Sequence, residues 1–81
     1  MNDKNKLISY IITFLEKFGD FTFDEVYVDM SGNDGAEVYR AETAFIDDDN
    51  IPYVELENGD IVELDELDYN ELLDIYDEMG L

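Results

Sequence analysis

Twenty-three aspartates and glutamates stand against four lysines and arginines in these 81 residues, and the resulting charge of −19 constrains the fold more than any motif does. Self-repulsion of that size opposes the compact state, so a folded chain must offset it with apolar burial. The material for this is present. Hydrophobic residues make up 46% and aromatics 14%, more than highly charged disordered chains carry. A chain of this length has room for one core, so residues 1–81 are expected to form a single domain.

The sign of the charge also limits partners. Lys4, Lys6 and Lys17 lie near the start, and Arg40 is the only later cation. Nucleic acids and anionic membranes are bound through clustered cations, so neither is expected as a direct partner. Cysteine is absent, which excludes disulfides, thiolate nucleophiles and thiolate zinc sites; histidine is absent as well. Lys4 and Lys6 precede Leu7, Ile8, Ile11 and Ile12 in the manner of a secretory leader. Polar interruptions at Ser9, Tyr10 and Thr13 and the lack of a small-residue cleavage site argue for a cytoplasmic protein instead.

Along the chain, Leu7, Ile8, Ile11, Ile12, Leu15 and Phe18 recur at helical spacing, with Phe14 widening the stripe. A helix over Asp3–Phe18 is predicted, capped by Asn2 or Asp3 and ended by Gly19. Asp20–Phe23 reads as a connector. Asp24, Val26, Val28 and Met30 then alternate with Glu25, Tyr27 and Asp29 as in a half-buried strand, although Thr22 and Glu25 also match the spacing of a helical capping box. Ser31–Gly35 has loop composition. A second strand over Ala36–Ile46 would place Tyr39, Ala41, Thr43 and Phe45 on one face and Val38, Arg40, Glu42, Ala44 and Ile46 on the other. Asp47–Asn50 forms a turn, and Pro52 fits a strand's first residues or an edge position.

Register is decisive in Tyr53–Leu64. A two-residue loop at Asn58-Gly59 would pair Val54 with Glu63 and mix acids with aliphatics. A three-residue loop, Glu57-Asn58-Gly59 with left-handed Gly59, pairs Val54 with Val62 and leaves Glu55, Glu57, Ile61 and Glu63 on the outer face. Asp68 and Glu71 then form a capping box ahead of Leu72, Leu73, Ile75, Tyr76 and Met79, with Gly80 as the stop. The predicted architecture is α+β: an N-terminal helix, an antiparallel sheet of about four strands and a C-terminal helix, with both helices on one face.

No motif specifies an enzyme. Carboxylate pairs are abundant, but nothing in the sequence sets one pKa apart from another, so catalysis is not expected and no cofactor is implied. Asp29, Ser31, Asn33 and Asp34 begin like a calcium loop, but Asp34 stands where glycine is required and Arg40 where a bidentate glutamate is. Asp47–Asp49 fails similarly, with Ile51 at a ligand position. The leading expectation is a non-catalytic interaction protein that binds a basic protein surface, such as that of a nucleic-acid-binding protein which it inhibits or regulates by mimicking phosphates. The candidate contacts are Glu55, Glu57 and Glu63 on the hairpin and Glu71, Asp74, Asp77 and Glu78 on the last helix. Carboxylates there repeat at about 6.6 Å along the strand and about 4.5 to 6 Å along the helix. Two alternatives are a module associating through an apolar patch, for example as a homodimer, with Tyr27, Tyr53 and Ile61 as the residues whose exposure would support it, and a divalent-cation binder.

Overall fold

A computed structural model describes residues 3–29 and 37–81 of the chain. The protein is α+β. Helix α1 (Asp3–Phe18) is followed by strands β1 (Phe21–Asp29), β2 (Val38–Ile46), β3 (Pro52–Leu56) and β4 (Ile61–Glu63), a short 3-10 turn at Leu64–Glu66, and helix α2 (Tyr69–Glu78). The strands form an antiparallel meander in the order β1-β2-β3-β4. Met30 and the Ser31–Gly35 loop, with Ala36, lie outside the described residues.

The core is the layer between the helices and one sheet face. Leu7, Ile11 and Leu15 of α1 meet Val26, Val28, Ala41, Ala44, Val54, Leu56 and Val62 of the sheet, closed by Leu64, Leu67, Leu72, Ile75 and Met79. The helical stripe of α1 thus points inward as its spacing dictates, except at its end. Phe18 is 66% exposed. Gly19 turns the chain with φ of 86° directly after it, and Phe21 takes the inner position against Phe14, with ring centroids 5.5 Å apart.

The sheet departs from strict alternation at two places. The expected connector Asp20–Phe23 is largely strand: β1 starts at Phe21, and Phe23 is buried. Thr22 pairs with Thr43 but Val26 pairs with Ala41, so β1 holds two extra residues there. Asp24 and Glu25 both face solvent as a result, which removes Asp24 from the inward row expected of it and replaces the helical alternative. In β2, Leu56 pairs with Ala41 and Glu55 with Thr43, leaving Glu42 as a bulge. Ala41 and Ala44 are therefore both buried, and Thr43 and Phe45 fall on the face opposite Ala41 rather than beside it.

The hairpin register is the one that segregates aliphatics from acids. Val54 pairs with Val62 and Glu55 with Ile61 across the Glu57-Asn58-Gly59 loop, in which the Gly59 N–H donates to Leu56 O (2.9 Å). Gly59 has φ of 94°, and a Cβ there would meet nothing within 4 Å. Its requirement is purely conformational. Gly59→Ala should cost about 1–2 kcal/mol, the left-handed penalty of an L-residue, with an unchanged m-value in equilibrium urea unfolding.

Candidate partner-binding surface

No carboxylate among the described residues is buried, but many are used. In α2, the Asp68 side chain accepts from the Glu71 N–H (2.9 Å) and Glu71 Oε1 accepts from the Asp68 N–H (3.1 Å), completing the capping box. The other oxygen of Glu71 accepts from the Asp29 N–H at 2.5 Å, and Glu78 accepts from the Asp24 N–H at 3.0 Å. Both donors belong to β1, an outer strand of the sheet. Two glutamates seven residues apart on α2 therefore occupy backbone donors that an edge strand would otherwise leave open. Glu57 acts similarly at the hairpin, where it accepts from the Arg40 N–H (2.6 Å) while its own N–H donates to Arg40 O (2.9 Å).

Of the seven acids singled out from the sequence, Glu57, Glu71 and Glu78 thus hold the fold together as acceptors. Asp74 and Asp77 are exposed on α2. Glu55 and Glu63 stand on the sheet face turned away from both helices, and there the structure assembles a surface. Across β2, β3 and β4 the outward rows are Phe45, Tyr53 and Glu63, then Thr43, Glu55 and Ile61. Tyr27 lies beside Arg40 on the same face. Phe45 and Tyr53 stack with centroids 5.7 Å apart and an interplanar angle of 28°. Tyr27 and Ile61 are each about half exposed. The Arg40 guanidinium is already engaged with Glu42 at 2.9 Å.

Asp47 and Asp49 complete this surface. The turn they belong to is built by Asp47 Oδ1, which accepts from the N–H groups of Asp49 and Ile51 (2.9 Å each), with Asn50 at φ of 63°. Partial burial, followed by the charges of Asp47, Glu63 and Asp49, raises the Tyr53 phenol above its ordinary 10.0. Tyr39 is raised too, by its hydrogen bond to Glu37 and that residue's charge. Phe45, Asp47 and Asp49 were not among the sequence candidates. The Glu42 bulge that turns Phe45 outward leaves no mark in residue type, and the aspartates read as a turn that fails as a cation site, with no sign that they border a stacked aromatic pair.

The arrangement offers aromatic rings ringed by carboxylates, suited to the aliphatic stem and cationic head of lysine or arginine. Among the described residues no three acidic side chains converge as a metal site, and no helix is long and apolar enough to cross a membrane. The chain matches no known protein family, and no curated protein or solved structure matches it.

Two measurements separate structural from surface acids. Glu71→Ala should lower stability by about 1–2 kcal/mol, the cost of a lost cap and an orphaned backbone donor, while Glu55→Ala should stay within about 0.5 kcal/mol in the same denaturation assay. In an alkaline absorbance titration, Tyr53→Phe should remove a component titrating above the ordinary tyrosine range. Because the folded-state value is raised, the stability linked to this phenol is present below pH 10.0 and is lost as pH rises through the folded value.

Proposed function

We propose that the protein is a non-catalytic interaction module that binds a basic protein surface, of the kind that nucleic-acid-binding proteins turn toward phosphates, and so competes for that surface. The observation that carries this is the stacked Phe45–Tyr53 pair with Asp47, Asp49, Glu55 and Glu63 around it, on a sheet face whose cation, Arg40, lies further along beside Tyr27 and is paired with Glu42. Carboxylates at that rim steer a cationic partner and fix its register, and the rings supply desolvated area on which a guanidinium stacks. Strand pairing holds the groups at fixed spacing, which limits the ordering cost on binding.

The placement narrows the sequence expectation. In this reading the sheet face is the contact and α2 contributes field: Glu71 and Glu78 already accept backbone hydrogen bonds, and Asp74 and Asp77 are carried by a helix on the opposite side of the sheet from the aromatic pair. The test is affinity capture from a lysate at low and high salt, with retained proteins identified by mass and the discrete partner then titrated. A partner held through charge should be released as the screening length falls from about 10 Å at 0.1 M to about 3 Å at 1 M salt. Glu55→Lys with Glu63→Lys should weaken that partner at least about tenfold, a change of about 1.4 kcal/mol, without lowering the melting temperature. Asp74→Lys with Asp77→Lys should change affinity by less than about threefold. Unchanged affinity for the sheet-face double variant would overturn the placement.

A further inference from the structure

The border of the sheet at β1 carries a second inference, independent of the basic-partner reading. Strand order leaves β1 with one neighbour, β2, so the N–H groups on its other side have no ladder to join. Two of them are nonetheless satisfied, since the Asp29 N–H donates to Glu71 (2.5 Å) and the Asp24 N–H to Glu78 (3.0 Å). A carboxylate oxygen in that position does what the carbonyl of a neighbouring strand would do, and as a charged acceptor it does so more strongly. What covers this edge is therefore part of the chain itself.

Helix geometry places both glutamates for this task. Seven residues are about two helical turns, so Glu71 and Glu78 leave the same face of α2 with a rise of about 10.5 Å between them. Helix α2 packs against β1, and these two are its partly buried acids, whereas Asp74 and Asp77 are exposed. Strand β1 adds a weaker deterrent: it carries Asp24, Glu25 and Asp29 and no cation, so two such edges repel. The opposite border is closed by other means. Strand β4 is three residues long, and Lys4 Nζ donates to Asp65 O (2.6 Å) where the chain enters the 3-10 turn.

We propose that Glu71 and Glu78 stand in for a fifth strand, an autoinhibitory contact that keeps the β1 edge from pairing with β1 of a second copy. Two identical edges meet antiparallel about a two-fold axis, which makes the nine-residue β1 its own complement once its amides are released. The hydrogen bonds, rather than the negative charge of the two glutamates, are the decisive guard. Repulsion between the edges is screened by salt, whereas an occupied amide stays occupied.

The test is sedimentation velocity on the full chain from micromolar to millimolar concentration at high salt, with amide hydrogen exchange followed residue by residue. The wild type should stay monomeric and should protect the Asp24 and Asp29 amides although they lie on an edge strand. Glu71→Ala with Glu78→Ala should speed exchange of those two amides at least about tenfold in dilute solution while β2 and β3 keep their protection. At higher concentration the same variant should form a dimer in which both amides are protected again. Glu71→Gln with Glu78→Gln removes the same two charges but keeps carbonyl acceptors, so it should stay monomeric. Gly59→Ala, which lowers stability at the hairpin without touching β1, should stay monomeric as well. An alanine pair that remains monomeric at millimolar concentration overturns the proposal, as does a wild type whose Asp24 and Asp29 amides exchange at unpaired rates. So does a glutamine pair that dimerises as the alanine pair does, since charge would then be the guard, or a Gly59→Ala chain that dimerises, since lost stability would then be the cause.

Discussion

An ionised carboxylate enters an apolar core only with a cation or several hydrogen-bond donors, and this chain has almost no cations to give. Every described acid consequently stays at the surface or in partial contact with it. The apolar side chains are then forced into one layer, and the two helices are placed where they can cover it. A second covered layer would require the outer sheet face to be apolar throughout; Glu55, Glu63, Thr43 and Arg40 standing on that face make this impossible. The two-layer architecture follows from charge as much as from hydrophobic pattern.

Where salt bridges are scarce, the backbone supplies the donors. Asp68 and Glu71 cap α2, Glu71 and Glu78 reach β1, Glu57 reaches β2, and Asp47 closes the β2–β3 turn. At the surface such hydrogen bonds are each worth about 0.5–1.5 kcal/mol net, at least as much as the 0–1 kcal/mol of a typical exposed ion pair. An acidic composition is thus compatible with a fold of this size, because amide N–H groups do not have to be encoded as lysines.

Much of this was legible in the sequence. The α1 stripe, the α2 capping box and the three-residue hairpin loop each combine periodicity with a residue that has only one stereochemical use, such as Gly59 at φ of 94°. The bulges were not legible. Two extra residues around Asp24 and Glu25 and one at Glu42 look like ordinary strand composition, yet each shifts the face on which everything beyond it points. Strict alternation puts Phe45 beside Ala41 for that reason. The α1 spacing points Phe18 inward, but a helical repeat carries no information about where Gly19 redirects the chain and which later aromatic, here Phe21, claims the space. The roles of Glu71 and Glu78 were hidden for a further reason: their donors, Asp29 and Asp24, lie 42 and 54 residues away in the chain.

The glutamates that bind β1 also give the sheet a fixed width. At one border the amides an incoming strand would pair with are already taken at two points; at the other, β4 is three residues long and runs directly into the 3-10 turn. Strand addition, the route by which many small sheets recruit peptides or polymerise, has little purchase at either border. The sheet is left open across its outer face rather than along its borders.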